Sequence, residues 1–256
     1  MHSMVKLQPL QGIPALLLGM KEKTICIADL HLGYELELRQ NGFNIPDQTP
    51  RIAKSIVDIE EGDRLLILGD VKHTIPYTTV FESVRLSRFF KLLSERYASV
   101  TIVMGNHDGG IRKSIPDEVE VVSSGGLVIS SIGLSHGHSW PSREVMKSRI
   151  LVSGHIHPSL SLRDRLGSRN SIKCWLRGAV HKKPLKKRYS EVNVSETIIM
   201  PAYNPLLTGS AVNEGNHCGL SPLLRSKAIV LGEQKAYTLD GTYLGHVSQL
   251  MTQLKE

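Results

Sequence analysis

The sequence predicts an α/β protein in which two β-sheets pack together with helices outside them. Two observations predict this fold class. The first half of the chain alternates short apolar runs with segments of helical period, whereas the second half consists mostly of short apolar runs. At 256 residues the chain is long enough to bury a sizeable core as one large domain.

The first half is predicted to alternate strands and helices. The predicted strands are residues 15–18, 24–28, 64–68 and 101–104, and the predicted helices are residues 34–40, 49–59 and 78–97. The clearest helical pattern is a single apolar stripe formed by Val80, Val84, Phe89 or Phe90, Leu93 and Tyr97. Each predicted strand is an apolar run bounded by glycine or charged residues, which is typical of buried strands.

The second half is predicted to be rich in strands. These are residues 119–122, 127–132, 149–152, 172–176, 197–200 and 228–231, with a short helix at residues 142–147. Residues 204–219 contain Pro205, Gly209, Gly215 and Gly219 and are predicted to form a long loop. Alternation of strand and helix followed by strands alone favours two sheets over one parallel sheet.

The composition is that of an ordinary globular protein. Hydrophobic residues make up 41% and charged residues 21% of the chain. No apolar run approaches the roughly 20 residues that span a bilayer, and no secretory signal is recognised. The three cysteines, Cys26, Cys174 and Cys218, are few and odd in number, which favours reduced thiols. We therefore expect a cytoplasmic protein that does not bind membranes.

Positive charge is concentrated in residues 163–188, although the whole chain carries only +7. The segment contains one acidic residue, Asp164, and ten basic residues. The basic residues are Arg163, Arg165, Arg169, Lys173, Arg177, Lys182, Lys183, Lys186, Lys187 and Arg188. Lysine and arginine contacts to phosphates give sequence-independent affinity for nucleic acid, so this segment favours a polyanionic partner. The alternative is a solvated loop, because Pro184 interrupts the most basic stretch and few apolar residues accompany it.

Side chains able to bind metals follow several of the predicted strands. They are Asp29, His31, Asp70, Asn106, His107, His136, His155 and His157. A lone buried histidine is more often a core residue than a ligand, but five independent strand ends are difficult to explain by chance. Imidazole, carboxylate and amide groups together suit Mn²⁺, Fe or Zn²⁺ better than Mg²⁺. Their number exceeds one tetrahedral site, so the sequence predicts two divalent ions.

These residues form five motifs in a fixed order. They are Asp29-X-His31, Gly69-Asp70-X-X-His73, Gly105-Asn106-His107-Asp108, His136-Gly137 and Gly154-His155-X-His157. The set resembles the signature of the calcineurin-like metallophosphoesterases. Residues 27–33 and 200–206 further resemble the archaeal branch related to Mre11/SbcD-type nuclease subunits and DNA-ligase-associated phosphoesterases. The resemblance implies a four-layer αββα sandwich, with two mixed sheets flanked by helices, as one metallophosphoesterase domain over residues 1–256.

The resemblance also implies roles for the site residues. It assigns the first metal to Asp29, His31 and His157, the second metal to Asn106, His136 and His155, and a bridging position to Asp70. The ions, expected to be Mn²⁺ with Fe, Zn or Ni as alternatives, would activate a water molecule for attack on phosphorus. His107 would donate a proton to the leaving oxygen.

Further residues leave alternatives open. Asp108 is expected either to orient His107 or to be a plain turn residue. His73 is predicted to contact the substrate or to lie on the surface, and His138 to be a spare ligand or a substrate contact. Asn106 is also expected to contact the substrate, as are Lys182, Lys183, Lys186, Lys187 and Arg188. His181, His217 and His246 are expected to be structural or solvated.

The leading hypothesis for function is a dimetal phosphodiesterase acting on nucleic acid, a nuclease related to DNA repair. The second is a phosphomonoesterase or cyclic-nucleotide phosphodiesterase, because the same metals serve small substrates. The third is a metal-binding scaffold that has lost catalysis and binds a protein partner. The resemblance suggests a helicase or ligase partner, and a homo-oligomer is left open.

Overall fold

The structure is a computed structural model that describes residues 6–19, 21–75, 78–163, 167–215 and 217–251. The strands of its first half are β1 (Lys6–Pro9), β2 (Ala15–Gly19), β3 (Thr24–Ile27), β4 (Arg64–Leu68), β5 (Ser99–Val103) and β6 (Glu120–Val122). The helices are α1 (Tyr34–Gln40), α2 (Thr49–Val57), α3 (Val80–Arg96), α4 (Arg143–Met146), α5 (Lys182–Leu185) and α6 (Pro222–Arg225). Arg165, which the basic segment includes, lies outside the described residues.

The later strands complete the architecture. They are β7 (Leu127–Ile129), β8 (Ile132–Ser135), β9 (Ile150–Ser153), β10 (Pro158–Arg163), β11 (Arg169–Lys173), β12 (Trp175–Ala179), β13 (Glu196–Ile199), β14 (Ser210–Ala211), β15 (Lys235–Tyr237) and β16 (Tyr243–His246).

Strands β1 to β6 form the first sheet in chain order. The pairs β1–β2 and β2–β3 are antiparallel, whereas β3, β4, β5 and β6 are parallel. Continuous apolar runs such as Ile25–Ile27 suit strands that are covered on both faces. Because β3, β4 and β5 are parallel, the residues that follow them meet at one edge of the sheet.

The second sheet has seven strands in the order β16-β15-β12-β13-β9-β8-β7. Its centre is parallel, since β13 pairs with β9 and β9 pairs with β8 in that orientation. The outer strands pair antiparallel. A separate three-stranded sheet has the order β11-β10-β14. The residues after β8 and β9 therefore also lie at a common edge.

Three apolar clusters divide the molecule into four layers. The cluster between the sheets includes Leu66 and Leu68 from the first sheet and Leu134, Val152 and Trp175 from the second. Helices α2 and α3 cover the outer face of the first sheet, and α4, α5 and α6 supply apolar residues to the cluster on the outer face of the second. The predicted αββα sandwich of two mixed sheets is confirmed.

Several predicted elements need correction. The predicted strand at residues 228–231 is wrong, because Ala228 and Ile229 form a buried turn in which the Ile229 amide donates to the Leu223 carbonyl at 3.1 Å. Its apolar character reflects burial and not strand pairing. Residues 172–176, predicted as one strand, are split between β11 and β12. Residues 127–132, also predicted as one strand, contain β7, a turn and the first residue of β8, which pairs with β7 as a hairpin. The predicted loop at residues 204–219 contains the short strand β14, and Asn216 lies outside the described residues.

The predicted helix at residues 78–97 is confirmed as α3, but part of its predicted apolar stripe is wrong. Val80 is 84% exposed and Val84 is 45% exposed. The buried face is instead formed by Glu82, Leu86, Phe89, Phe90 and Leu93. Thr79 and Glu82 form a capping box, which draws the Glu82 side chain inward, and Val80 and Val84 lie on the exposed side of the helix.

Helices long and apolar enough to span a bilayer are not found in the part of the chain that the structure describes.

Candidate metal centre

The polar residues predicted from the strand ends come together where the two sheets meet. Asp29 and Asp70 follow β3 and β4, and Asn106 follows β5. His136 follows β8, and His155 and His157 follow β9. The residues form three groups in which potential ligand atoms lie within 4.8 Å of one another: Asp29, His31, Asp70 and His157; Asp70, His136 and His155; and His31, His73 and His107. The third group was not predicted as a group.

The backbone of this site is held in an unusual conformation. Asp29, His31, Asp70, His155 and His157 all have positive φ angles, between 41° and 70°. Residues other than glycine rarely adopt the left-handed region, and each such residue stores strain of about 1–3 kcal/mol that the surrounding structure must hold. This feature was not predicted from the sequence, because these residue types do not require a left-handed backbone.

Asn204 holds part of this strained backbone. Its side-chain amide donates to the carbonyls of Leu30 at 2.8 Å and His31 at 3.3 Å. Lys173 supports the same loop by donating to the carbonyls of Ala202 and Asn204. The residue 200–206 motif, noticed in the sequence only as a resemblance, therefore fixes the turn that carries Asp29 and His31.

The first group contains two carboxylates and two imidazoles in close contact. His157 Nε2 lies 3.1 Å from Asp29 Oδ1, and His31 Nε2 lies 3.5 Å from Asp70 Oδ2. His31 Nδ1 lies 3.2 Å from His73 Nδ1 on the outer side of the ring. His31 Nε2 is buried and lacks a hydrogen-bond partner among the described residues.

The second group is arranged around Asp70. His136 Nε2 lies 3.3 Å from Asp70 Oδ2 and 3.3 Å from Asn106 Oδ1. The other nitrogen, His136 Nδ1, donates to the Leu68 carbonyl at 2.7 Å. His155 Nε2 donates to the Leu220 carbonyl at 2.7 Å. Each ring thus has one nitrogen fixed by a backbone carbonyl and one left for the site, as in histidines that bind metals.

The electrostatics of the site favour charged carboxylates. Burial alone raises the pKa of Asp29, but neighbouring His157 and His136 hold that pKa below its ordinary value. Burial likewise opposes ionisation of Asp70, yet its hydrogen bond with His136 lowers the pKa of Asp70. Burial disfavours protonated His136, but Asp70 and Asp29 raise its pKa to about 9. Two buried carboxylates are therefore maintained as anions, which suits cation binding.

Burial is the largest influence on the pKa of two other imidazoles, His31 and His155. It lowers the pKa of His31 to about 3, with His157 and His107 adding repulsion. Burial also lowers the pKa of His155, aided by His136. Neutral imidazole is the form that binds metals, so these two rings are held in the required state.

Glycine is required at position 105 because of close packing and not because of a positive φ angle. A methyl group at this position would overlap the Asp70 side chain and its backbone nitrogen. The absence of a side chain lets the loop after β5 approach Asp70, so that the His107 amide donates to Asp70 Oδ1 at 2.9 Å. Gly105, the first residue of the motif that contains Asn106 and His107, is therefore required for this approach.

His107 is oriented by a backbone carbonyl. Its Nδ1 donates to the His73 carbonyl at 2.6 Å. Since a carbonyl only accepts, Nδ1 carries the hydrogen and Nε2 is left for other partners. The ring lies edge-on to His31, with centroids 4.7 Å apart.

Asp108 bonds backbone amides among the contacts that the structure describes. Its carboxylate accepts from the Val71 amide and the Gly105 amide, both at 2.8 Å. These bonds close the turn and join the loops after β4 and β5. The bond to the His107 ring comes from the His73 carbonyl, and the two predicted roles of Asp108 stay predictions.

His73 and His138 occupy opposite sides of the site. His73 Nε2 contacts Glu37 Oε2 at 2.7 Å, and its ring stacks near His107 at 5.6 Å. His138 lies 5.1 Å from His136 and 5.9 Å from His155 between ring centroids. Burial and these two histidines lower the pKa of His138 to about 4. His138 Nδ1 is buried and without a hydrogen-bond partner in the described residues.

The basic segment is not one continuous patch. Arg169 pairs with Glu214, Arg177 pairs with Glu196, and Lys173 is bonded to carbonyls. Among the residues that the structure describes, no carboxylate pairs with the exposed cationic group formed by Lys182, Lys183, Lys186, Lys187 and Arg188. This group does not form only a loop, because Lys182–Leu185 is a short helix anchored by buried Leu185.

The cationic group adjoins the loop that carries His138. The Arg188 guanidinium lies 5.0 Å from the Trp140 ring centroid, and the Tyr189 hydroxyl donates to the Pro141 carbonyl at 2.6 Å. Trp140 is two residues beyond His138 in the chain. At least Arg188 therefore lies beside the loop that continues from His136 and His138. The three groups of potential ligands described above are called the metal-ligand groups from here on.

The residues present fit metal ions. Buried polar atoms without partners are rare, yet among the described residues His31 Nε2 and His138 Nδ1 are of this kind and lie in or beside the carboxylate clusters. A divalent cation would satisfy nitrogen lone pairs and offset the carboxylate charge. An αββα sandwich with such clusters at its strand ends defines an α/β protein built to hold metal ions.

Comparisons with known proteins agree with this class. The model of the calcineurin-like phosphoesterase family matches residues 22–183, and the chain belongs to this family of metal-dependent hydrolases. A search of curated protein sequences finds no match.

Solved structures support the fold. Nuclease MPE of Pseudomonas putida is 17% identical, with 93% of this chain and 100% of that chain aligned and a TM-score of 0.53. The phosphoesterase Yfce of E. coli is 18% identical over 55% of this chain and 73% of its own, with a TM-score of 0.30. The first likeness concerns the fold alone, and the second is too distant to add to it.

Proposed function

We propose that this chain is a phosphodiesterase that hydrolyses nucleic acid with two divalent ions, most simply Mn²⁺. The observation that carries the proposal is the position of Arg188, a cation without a carboxylate partner among the described residues, beside the loop of His136 and His138. A cation beside the loop that continues from His136 and His138 supports a substrate with more than one phosphate. The printed name of the Pseudomonas putida relative, a nuclease, points in the same direction.

In this proposal Asp29, His31 and His157 hold one ion, and Asn106, His136 and His155 hold the other. Asp70 contacts both groups and would join them. When bound, the ions would lower the pKa of a shared water and offset charge on the phosphate oxygens. Asn204 and Lys173 keep the Asp29–His31 turn in place for this purpose.

His107 is proposed to donate the proton to the leaving oxygen. Its Nδ1 hydrogen is bonded to the His73 carbonyl, so the acid in this proposal is the imidazolium, which gives its Nε2 proton to the leaving oxygen and becomes the neutral ring. The ring is fixed by this bond and by the His107 amide bonded to Asp70. His107, the proposed acid, is therefore held in a fixed position relative to Asp70, the proposed bridging carboxylate.

We also propose a cytoplasmic location, supported by Cys26 and Cys174, which are buried and unpaired. A helicase or ligase partner remains a proposal from the sequence.

A substrate panel tests the function. The purified chain with Mn²⁺ is incubated with bis-p-nitrophenyl phosphate, p-nitrophenyl phosphate, cyclic nucleotides, and labelled DNA and RNA. We expect hydrolysis of the diester and of at least one nucleic acid, abolished by a chelator and restored by Mn²⁺. Hydrolysis of monoesters or cyclic nucleotides alone would reject the nuclease and favour the small-substrate alternative.

A further inference from the structure

A cleft of about 480 Å³ opens on the His107 side of the metal-ligand groups. His73 and His107 form its inner end, while Leu36, Ile75 and Phe81 are among its walls. The volume falls within the range of small-molecule sites, about 300–1,000 Å³. Because His107 is proposed to protonate the leaving oxygen, the group attached to that oxygen would lie in this cleft.

The charge of the cleft disfavours a second phosphate. Its charged walls include Glu37 and Glu82, and no lysine or arginine is among the described residues that line it. Glu37 is half exposed and already bonded to His73. A neutral group is therefore favoured here, and the amide of Gln40 in the cleft wall can donate and accept hydrogen bonds.

Phe81 provides an aromatic surface in this cleft. It is the second residue of α3 and is 63% exposed. The Arg85 guanidinium lies 4.3 Å from its ring centroid, and Arg85 is itself 3.3 Å from both Glu35 and Asp47. The ring is thus backed by a cation that two carboxylates hold in place, although much of its surface remains open to solvent.

We propose that the cleft binds the nucleoside that carries the leaving oxygen and that Phe81 stacks on its base. The inference rests on the proposed function for the role of His107. Stacking on an aromatic ring suits every base, since each has a π face, and it needs no positive charge in the cleft. The phosphates on the other side of the scissile bond would face the cationic group.

A protein partner is the competing occupant, because Val80 and Val84 extend the exposed apolar surface of α3. These valines do not line the cleft, whereas Phe81 and Ile75 share it with His107. Because Phe81 lines the same cleft as His107, the proposed catalytic group, the nucleoside is favoured over a protein as the occupant.

The test compares leaving groups with and without a base. With Mn²⁺, kcat/KM is measured for release of thymidine from thymidylyl-thymidine and for release of methanol from the methyl esters of thymidine 3′- and 5′-monophosphate. Phe81→Ala is expected to lower kcat/KM for the dinucleotide by about 5- to 150-fold, the range for loss of one base stack, with no more than about a twofold change for the methyl esters. Phe81→Tyr should restore most of the loss.

Val80→Ala is the matched control, because it removes an exposed side chain from the same helix turn outside the cleft. Equal effects of Phe81→Ala on both ester types, or no effect on the dinucleotide, would overturn the proposal. Loss of partner binding without a change for the dinucleotide would assign the surface to a protein.

Failure of the proposed function gives a different result. If the wild type hydrolyses monoesters only, the phosphodiesterase function is rejected, and thymidine monophosphate is then compared with methyl phosphate. A selective loss with the nucleoside ester would still support the cleft, and equal rates in wild type and Phe81→Ala would reject it.

Discussion

The two sides of the metal-ligand groups differ in charge. The His107 side contains His73, His107 and Phe81, and its cleft is walled by carboxylates without lysine or arginine among the residues described. The His138 side contains His138 and Trp140, and Arg188 of the cationic group lies against Trp140. One side thus disfavours phosphates and the other attracts them.

This difference indicates a direction for the substrate. A polyanion would lie on the His138 side, where Arg188 and its neighbouring lysines can contact phosphates. The leaving group would lie on the His107 side, next to the proposed acid. In this proposal, one side of the site would provide affinity for the chain of phosphates and the other would recognise the nucleoside that carries the leaving oxygen.

The largest expected effect is on the His107 side. His107→Gln should lower kcat for thymidylyl-thymidine by about 10²- to 10⁴-fold, since the variant cannot donate the proton that the alkoxide leaving group needs in the transition state. Metal content, measured by inductively coupled plasma mass spectrometry, should not change. His138→Gln serves as the control from the opposite side and should reduce kcat much less. Undiminished turnover by His107→Gln would contradict the proposed mechanism.

A smaller effect is expected on the His138 side. Replacing Lys182, Lys183, Lys186, Lys187 and Arg188 by glutamine should weaken binding of labelled DNA and flatten its salt dependence. The slope of log affinity against log salt should fall by about 0.7–0.9 for each phosphate that the variant no longer neutralises. Hydrolysis of bis-p-nitrophenyl phosphate should change little, because this small diester does not need the cationic group.

Arg88 and Lys91, which are exposed on α3, provide a control for loss of charge alone. Their replacement by glutamine should alter the salt slope less per charge than replacement of the cationic group. Equal changes per charge, or unchanged DNA binding in the first variant, would show that the two sides do not differ in function.

Much of the fold was predictable because it depends on local patterns. The alternation of apolar runs and helical segments indicated both halves of the sandwich, and the strand ends indicated Asp29, Asp70 and His155. The pattern was insufficient where burial did not require a strand, as at Ala228 and Ile229. It was also insufficient in the first turn of α3, where a capping box and not an apolar stripe decides which side chains are buried.

The site contains features that no local pattern records. Asn204 bonds carbonyls more than 170 positions earlier in the chain, at Leu30 and His31. The orientation of His107 depends on the His73 carbonyl, which no side-chain motif specifies. The sequence therefore indicated which candidate residues come together, whereas the contacts that hold them depend on distant packing.

The metal content of the wild type and of Asp70→Asn tests the central claim most directly. Asp70 is shared by the two groups, so its replacement should weaken binding in both. After saturation with Mn²⁺ and removal of free ions, mass spectrometry should find about two ions per wild-type chain. It should find fewer in Asp70→Asn and an unchanged number in the control Asp58→Asn, an exposed carboxylate paired with Lys54. A wild type that retains no ion, or an Asp70→Asn protein with the full number, would contradict the account.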